Sequence, residues 1–427
     1  MVDAVMKSRY RNRELLLLVL ALVITSLGFY LSAQTTAQPV DTALKLAGLL
    51  SAAFIGLHIV NRILITDADP LLLSLTAFTS GIGLVMIWRL KPNLATAQSI
   101  WILVGAAAIL ITFMLARNYR KLKEYKYTWA IAGIILLFAP IFLGTERGGA
   151  RLWLDLGPVS FQPAEIAKIF FVFFLAAYLE EKRELLSIST KRAFGLWLPE
   201  LKHLGPLAVM WLISLIILVL ERDLGTSLLF FGLFLAMIYV ATGRLMYVSL
   251  GTSLFIAGAV ACYFTFSHIQ TRFDIWLDPW IDPAGRGYQL IQSIFAIGSG
   301  GLAGTGLGLG HPTMIPAVQT DFIFAAIAEE LGLLGGVAVI LAYLLFISRG
   351  LRIALSATDD FGRLVATGLT SVFALQAFVI LGGTTRLIPL TGVTLPFMSY
   401  GGSSILMNFI LLALLLAISA KRGDRFE

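Results

Sequence analysis

Cysteine is almost absent from this chain of 427 residues, and the single Cys262 excludes an intrachain disulfide. The four histidines lie far apart without zinc-ligand spacing, so we expect no structural zinc site. The glycine run at 304–310 has neither a Lys-Ser/Thr pair nor a βαβ unit around it, which argues against nucleotide binding and favours close backbone packing. We find no internal repeat and no low-complexity linker. These absences argue against a disulfide-stabilised protein, a structural zinc protein and a nucleotide-binding protein.

Hydrophobic residues make up 58% of the sequence and charged residues only 13%, as in polytopic membrane proteins. The apolar runs are about as long as a helix that crosses a ~30 Å hydrocarbon core. Twelve runs qualify: 15–31, 43–60, 70–88, 97–115, 127–143, 163–178, 206–220, 224–241, 246–266, 321–346, 363–381 and 403–418. The sequence therefore predicts an all-α polytopic integral membrane protein with about 12 transmembrane helices. We expect a single membrane domain over residues 1–427.

The net charge of +7 reflects basic loops rather than a nucleic-acid site. The basic residues gather at the N-terminus, in the loops after predicted spans four and six, and in the tail at 421–425. All these segments are cytoplasmic if the N-terminus is, whereas Arg89 and Lys91 are a mild exception. A cleaved signal peptide is the alternative for residues 1–31, but the apolar run is longer than a usual signal core. We therefore predict an uncleaved first span with both termini cytoplasmic.

The large extracytoplasmic loop between spans 9 and 10 is the segment where we expect chemistry. It contains Asp274, Asp278 and Asp282, the last two within Asp-Pro pairs that fix bends and present the carboxylates from a stiff loop. A new apolar helix opens at Asp321 and carries Glu329 and Glu330. Charges at membrane depth indicate a functional site.

A second outward segment, 144–168, ends in a helix that opens at Pro163. Gln162, Glu165 and Lys168 follow at a spacing of three, so they share one helix face. A self-satisfied structural ion pair and a functional site remain equally open. Arg151 and Trp153 are candidates to contact an anionic headgroup and a sugar face, with an interfacial aromatic belt as the alternative.

Three further segments have two interpretations each. Residues 179–204 favour an amphipathic helix along the cytoplasmic interface over a binding site. The three charged residues at 221–223 indicate a solvated turn, and a role at the outward-facing cavity is the alternative. The proline- and glycine-rich stretch 385–404 is non-helical near membrane depth, where its Ser399, Ser403 and Ser404 either satisfy backbone groups or bind polar substrate.

Four ordered motifs resemble the SEDS family of bacterial shape, elongation, division and sporulation proteins (RodA, FtsW and SpoVE). They read RLWLDLGPVSFQPAEIAK, PWIDPAGRGYQLIQSIFAIGSGG, TDFIFAAIAEELG and PLTGVTLPFMSYGGSS. The resemblance implies a peptidoglycan glycosyltransferase that polymerises lipid II on the outer face of the bacterial cytoplasmic membrane. It also implies a class B penicillin-binding protein as partner, together with other elongation or division machinery, and no nucleic acid.

The same resemblance divides the chain and assigns its residues. It implies a family core of ten spans preceded by two extra spans, and we assign the extra N-terminal spans to residues 1–90 and the core to residues 127–420. The essential family aspartate maps onto Asp282, and the family Glu and Lys map onto Glu165 and Lys168. Physics alone does not separate Asp282 from Asp278. Gln319 stands where the family usually has His, Ala317 where it often has Glu, and GGTTRLIPLTG looks more like elongation-type RodA of high-GC Gram-positive bacteria than a division-type member.

The mechanism that follows makes Asp282 the general base on the acceptor sugar hydroxyl. Cations are needed for the leaving undecaprenyl pyrophosphate, with a divalent ion such as Mg or Mn as a further possibility on Asp282 or Asp278. The remaining residues are candidates for substrate binding: Glu165, Lys168, Arg151, Trp153, Arg272, Asp278, Arg286, Tyr288, Gln289, Gln292, Asp321, Glu329, Glu330, Ser399 and Ser403. A flippase of the lipid-linked precursor and a non-catalytic scaffold are the rival classes.

Overall fold

A computed structural model describes residues 2–147, 150–157, 159–187, 191–193, 196–198 and 201–420. Within these ranges the chain is almost entirely helical. The helices are α1 Val2–Thr35, α2 Val40–Leu64, α3 Leu72–Leu90, α4 Pro92–Leu115, α5 Lys126–Leu143, α6 Pro163–Ser187, α7 Leu201–Leu220, α8 Leu224–Thr242, α9 Leu245–Thr265, α10 Ser267–Leu277, α11 Tyr288–Ser299, α12 Ile323–Ser356, α13 Asp360–Thr384 and α14 Gly402–Ala420. Short 3₁₀ helices cover Ala116–Tyr125, Pro279–Ile281 and Pro312–Met314.

Each of the twelve predicted spans coincides with a helix, and the all-α membrane class is confirmed. Ten helices of the described chain are long and apolar enough to cross a membrane. The other two predicted spans are α6, whose first turns carry Glu165 and Lys168, and α7, whose apolar part Gly205–Leu220 is shorter. Helices α10 and α11 lie in the predicted outer loop and are not spans.

The helix ends follow local chemistry. Pro92 opens α4 and Pro163 opens α6, positions where the missing amide hydrogen is not needed. Asp223 caps α8 by accepting the Thr226 N–H at 2.9 Å, and Gly243 closes the same helix with φ 69°. The helix predicted from Asp321 begins at Ile323 and is interrupted at Gly332, where φ is 67°.

The chain forms two compact units. The first unit comprises residues 1–117, 274–353 and 376–427. In it α1 packs on α2 and α3, and α4 packs on α2, α3 and α14. Gly105 of α4 meets the Phe409 ring so closely that a Cβ atom would lie 2.8 Å from it. The tight α4–α14 packing fixes the start of α14, beside which the 385–401 segment folds.

The second unit comprises residues 118–273 and 354–375. Here α6 packs on α5 and α8, while α8 also contacts α7 and α9. Aromatic rings fill the α6–α8 contact, where Phe171 meets Phe230 edge-on with centroids 5.0 Å apart. The middle of α6 is buried, so the polar residues of its first turns are held in place by an apolar core.

Small antiparallel sheets occupy two inter-helix segments of the second unit. Strands β1 Thr145–Arg147, β2 Ala150–Leu156 and β3 Val159–Phe161 pair in sequence order before α6. Strands β4 Lys191–Ala193 and β5 Leu196–Leu198 pair after it. The interfacial helix expected over 179–204 is therefore wrong for 191–193 and 196–198, which form paired strands, while 188–190, 194–195 and 199–200 lie outside the described residues. The division of the sequence into one membrane domain stays a prediction.

Candidate active site

Asp282 lies in a tight turn between the 3₁₀ helix Pro279–Ile281 and α11. Its Oδ1 accepts the Gly285 N–H and its Oδ2 accepts the Arg286 N–H, both at 3.0 Å. Its carbonyl oxygen also accepts the Gly287 N–H at 2.9 Å. Each carboxylate oxygen is thus oriented by one amide. Because the side chain is exposed, each oxygen also keeps a lone pair accessible to an incoming hydroxyl.

Two glycines make this turn possible. A Cβ atom at Gly285 would lie 2.5 Å from Asp282 Oδ2, and one at Gly287 would lie 2.1 Å from the Pro279 carbonyl oxygen. A side chain at position 285 would push the Asp282 carboxylate aside, and one at position 287 would clash with the backbone. Gly285 is thus explained by its close approach to the Asp282 carboxylate, and Gly287 by its close approach to the Pro279 carbonyl group.

Asp278 is held differently from Asp282. Its Oδ1 accepts one amide, that of Trp280 at 3.0 Å, and so caps the 3₁₀ helix. Arg386, which we did not select from the sequence, fixes the preceding residues: its guanidinium donates to the carbonyl oxygens of Trp276 and Leu277 at 2.9 and 2.5 Å. The Trp276 indole donates back to the Arg386 carbonyl at 3.1 Å. This loop is therefore joined to the segment after α13.

The YQ motif opens α11 immediately after the turn. Tyr288 is the first residue of the helix, and Gln289 and Gln292 follow with half-buried side chains. Ser293 on the buried face donates to the Thr384 carbonyl at 3.0 Å and so fixes α11 against the end of α13. Arg286 is exposed one residue before the helix cap. The predicted substrate-binding residues 286–292 thus follow Asp282 on one rigid element.

Glu329 and Glu330 lie at the base of the glycine-rich loop 300–311. Glu330 is fully buried; its Oε1 accepts Arg89 Nε at 2.8 Å and its Oε2 accepts the Gly308 N–H at 2.9 Å. Glu329 Oε1 accepts the His311 N–H at 2.6 Å. Arg89 also donates to the Gly310 carbonyl at 2.8 Å. Both carboxylates therefore hold the glycine-rich loop in place. Their assignment to substrate binding stays a prediction.

Arg89 was noticed in the sequence only as an exception to the distribution of positive charge. The ion pair with Glu330 explains why a basic residue lies at the predicted outer end of α3, since its charge has a buried partner there. An Arg placed against the positive-inside pattern was the signal that could have pointed to this site.

The 385–404 segment is folded by hydrogen bonds to its own backbone. Ser399 Oγ accepts the Leu395 N–H at 3.0 Å and donates to the Thr320 carbonyl at 2.5 Å. Gln98 of α4, absent from our candidates, donates to the Ser399 carbonyl at 3.0 Å and accepts the Gly401 N–H at 3.2 Å. Of the two alternatives for Ser399, the structure favours backbone satisfaction.

Ser403 and Ser404 differ from Ser399. Ser404 Oγ accepts the Thr394 hydroxyl at 2.8 Å. Ser403 is 1% exposed, and its Oγ has no hydrogen-bond partner among the described residues. Asp321 is half-buried just before α12. The substrate-binding assignments of Ser403 and Asp321 stay predictions.

In the second unit, Glu165 and Lys168 form an ion pair on α6. Lys168 Nζ lies 2.8 Å from Glu165 Oε2, and the side chains are 2% and 6% exposed. Burying two charges is costly, and the net contribution of such a pair to stability is small or negative. A buried pair in the first turns of a membrane helix therefore indicates a functional constraint.

The turn between α7 and α8 extends this polar region. Asp223 is 7% exposed and its Oδ2 accepts the Gln162 amide at 3.4 Å, while the charge of Arg272 lies close enough to favour the ionised carboxylate. Glu221 is 5% exposed, and Arg222 between them has φ 65°. The prediction of a solvated turn is wrong for both carboxylates, because capping of α8 draws Asp223 inward.

Burial, together with the neighbouring Asp223, raises the pKa of Glu221 to about 8 from 4.5. Burial also raises the pKa of Asp223, against the opposing Thr226 hydrogen bonds. Between pH 4.5 and 8 the folded chain binds more protons at Glu221 than the unfolded chain does. Stability should therefore fall as pH rises through this range.

We expect Glu221→Gln to reduce the loss of stability with rising pH, because glutamine mimics the protonated carboxyl at every pH. The variant should melt above the native chain at pH 8.5 and close to it at pH 5, measured by thermal unfolding in detergent. Glu184→Gln is the matched control, since Glu184 is exposed on α6. Equal melting temperatures of native and Glu221→Gln protein across the range would contradict the burial argument.

Arg151 and Trp153 lie on β2. Arg151 Nε is 3.7 Å from Glu146 Oε2, and both side chains are more than half exposed. Trp153 is half-buried, and its carbonyl oxygen accepts the Thr145 hydroxyl at 3.4 Å. Neither observation separates headgroup contact from interfacial anchoring, so both assignments stay predictions.

No group of three or more His, Cys, Asp and Glu side chains that could hold a metal ion occurs within the described part of the chain. Asp282 and Asp278 direct carboxylate oxygens at backbone amides instead. The divalent cation expected on Asp282 or Asp278 stays a prediction.

The fold and these polar loops define a multi-pass α-helical membrane protein with a polar candidate site built on inter-helix segments. The model of the cell cycle protein family FtsW/RodA/SpoVE matches residues 69–424. The chain belongs to this family.

Three similar proteins illustrate the relationship. The peptidoglycan glycosyltransferase RodA of Mycobacterium tuberculosis is 44% identical over 423 residues, covering 96% of this chain and 90% of that protein. A solved structure described as coordinating polymerization and crosslinking by a peptidoglycan synthase complex has 29% identity and a TM-score of 0.69, covering 84% of this chain and 99% of its own. The rod shape determining protein RodA of Thermus thermophilus has 26% identity and a TM-score of 0.59, covering 84% and 98%.

Proposed function

We propose that this chain is a peptidoglycan glycosyltransferase that polymerises lipid II into glycan strands at the outer face of the bacterial cytoplasmic membrane, in cell elongation. The 44% identity to RodA of Mycobacterium tuberculosis over nearly the whole chain supports the activity and favours elongation over division. The observation that carries the proposal is the Asp282 turn, in which an exposed carboxylate is oriented by two backbone amides.

In the proposed reaction the acceptor sugar hydroxyl attacks the anomeric carbon of the growing strand. The bond from that carbon to undecaprenyl pyrophosphate breaks, and the hydroxyl proton passes to Asp282. General-base help of this kind contributes about 10² to 10⁴ in rate. The two amides keep the carboxylate in one orientation, so less reorganisation is needed when the hydroxyl arrives.

The leaving pyrophosphate needs positive charge as its bond breaks. Lys168, Arg151, Arg272 and Arg286 are the proposed sources. Of these, Lys168 is buried in an ion pair with Glu165 on α6. A divalent cation on the pyrophosphate stays a prediction.

The proposed partner is a class B penicillin-binding protein that cross-links the strands. The relative described as a peptidoglycan synthase complex, which joins polymerization and crosslinking, supports a partner of this kind. Other elongation machinery, and cytoplasmic placement of both termini, belong to the same proposal.

The test is polymerisation of purified lipid II by the purified chain, alone and with its penicillin-binding partner. We expect glycan strands, and we expect none from Asp282→Ala protein prepared in the same way, which controls for co-purifying polymerases. Transfer of labelled lipid II across vesicles without strands would replace the proposal by a flippase. Equal strand formation by both proteins would show that Asp282 is not the base, and that Asp278 or the partner is responsible.

A further inference from the structure

Helices α1 and α2 form an N-terminal hairpin to which neither the motifs nor the proposed reaction assigns a role. The family model begins at residue 69, after this hairpin. The alignment with RodA of Mycobacterium tuberculosis covers 96% of the chain and therefore includes most of the hairpin. The hairpin belongs to the first compact unit, together with the glycine-rich loop and the Asp282 turn.

The middle of the hairpin is packed closely on α3. A Cβ atom at Gly81 of α3 would lie 2.1 Å from Thr25 Oγ1 of α1, and one at Gly28 of α1 would lie 3.3 Å from the Val85 methyl groups. Two helices that meet through glycines without a gap move together, because any separation loses many small contacts at once.

One end of the hairpin is fixed by a buried polar network. Glu14 of α1 is fully buried; its Oε2 accepts Arg11 at 2.5 Å and its Oε1 lies 2.7 Å from His58 Nδ1 of α2. Arg11 also donates to the Ala68 carbonyl, and the Ser74 hydroxyl of α3 donates to the Glu14 carbonyl at 3.1 Å. The network joins α1 to α2 and to the start of α3.

The other end of the hairpin contacts the glycine-rich loop. Gly308 lies against Thr35 at the end of α1, so closely that a Cβ atom there would be 2.0 Å from Thr35 Oγ1. The same residue donates its N–H to Glu330 Oε2 at 2.9 Å. Gly308 is therefore held between α1 on one side and the Arg89–Glu330 pair on the other.

We propose that the N-terminal hairpin is a positioning element for the glycine-rich loop 300–311: it holds this loop against α12 through the contact of Thr35 with Gly308. The loop directly follows α11, and α11 directly follows the Asp282 turn. Displacement of α1 therefore frees Gly308, loosens the loop and shifts α11. The consequence for catalysis rests on the proposed function, whereas the effect on the loop does not.

The test is hydrogen exchange of the full chain in detergent, read at the loop amides of residues 305, 306 and 308. In the native chain these amides bond to Glu329 O at 2.9 Å, Glu330 O at 3.1 Å and Glu330 Oε2 at 2.9 Å, respectively. Gly81→Ala places a methyl group against Thr25 and separates α1 from α3. We expect exchange at the loop amides to rise by about tenfold or more.

Two further variants make the comparison specific. Gly48→Ala in α2 is the matched control, because a Cβ atom there has no neighbour within 4 Å, and it should leave the loop unchanged. Adding Thr25→Ala to Gly81→Ala withdraws the Oγ1 atom and leaves the nearest contact at 3.1 Å, so protection should largely return. Glu14→Ala, which releases the opposite end of the hairpin, should also raise loop exchange.

Loop amides that keep native protection in both Gly81→Ala and Glu14→Ala protein overturn the proposal, whatever happens to activity. If loop exchange rises and polymerisation falls together in Gly81→Ala, and both recover when Thr25→Ala is added, the hairpin positions the glycine-rich loop for catalysis. If loop exchange responds as expected in a chain that makes no strands, the positioning stands and the proposed function fails.

Discussion

Asp282→Asn should lower the turnover number for lipid II polymerisation by about 10² to 10⁴ while leaving the fold intact. Asparagine keeps one acceptor oxygen for the turn, but its amide group repels one of the two N–H donors of residues 285 and 286. More importantly, it cannot take a proton from the attacking hydroxyl. The loss should therefore appear in kcat rather than in the apparent affinity for lipid II.

The measurement is the initial rate of strand formation over a range of lipid II concentrations, with thermal unfolding to confirm that the variant is folded. Asp278→Asn is the matched control on the same loop, since it removes a carboxylate that accepts only the Trp280 amide. A larger loss at Asp278 than at Asp282 would exchange the roles of the two residues.

Gly285→Ala extends the same prediction to the orientation of the carboxylate. The added methyl group would lie 2.5 Å from Oδ2, so the carboxylate must turn away although its chemistry is unchanged. Displacement of a reacting group by about 1 Å costs roughly 10²-fold in rate. Ala284→Ser, at the exposed neighbouring position, should retain native activity. Full activity of Gly285→Ala would show that the orientation of Asp282 does not limit the reaction.

The second large effect concerns stability. Glu330→Ala should destabilise the chain by about 3–5 kcal/mol, because it leaves the Arg89 guanidinium in a largely buried position without its partner. The Gly308 amide loses its acceptor in the same variant. The free energy of unfolding in detergent is the quantity to measure.

Two comparisons test the cause of that loss. Glu146→Ala removes an exposed ion pair with Arg151 and should change stability by no more than about 1 kcal/mol. Replacing Arg89 by methionine in the Glu330→Ala background should recover part of the lost stability, since no unpaired charge then remains buried. Equal effects of Glu330→Ala and Glu146→Ala would show that burial of the pair is unimportant.

The sequence determined the helices better than the segments between them. A run of apolar residues of membrane length has one stable structure in lipid, so each of the twelve predicted spans coincides with a helix. Between spans the outcome depends on competing local interactions. The strands at 191–193 and 196–198 lie where the sequence predicts an interfacial helix, because periodicity over so short a stretch does not distinguish the two.

The candidate site was predictable where chemistry and local turn geometry coincide. The Asp-Pro pairs indicated a stiff loop, and the Asp282 turn confirms that the carboxylate is presented from one. The residues that hold the site together were not predictable. Arg89 and Gln98 find their partners more than 200 positions away in the sequence, and no local pattern encodes such a distance.

The Arg89–Glu330 pair also constrains how the chain is made. The two residues are 241 positions apart, which corresponds to about 10 to 50 seconds of synthesis. Throughout that interval α3 is already available for insertion, and its terminal guanidinium has no carboxylate to neutralise it. The glycine-rich loop cannot close before α12 arrives. Assembly of the glycine-rich loop is therefore a late event that follows insertion of the helices, and Arg89 lacks its carboxylate partner until then.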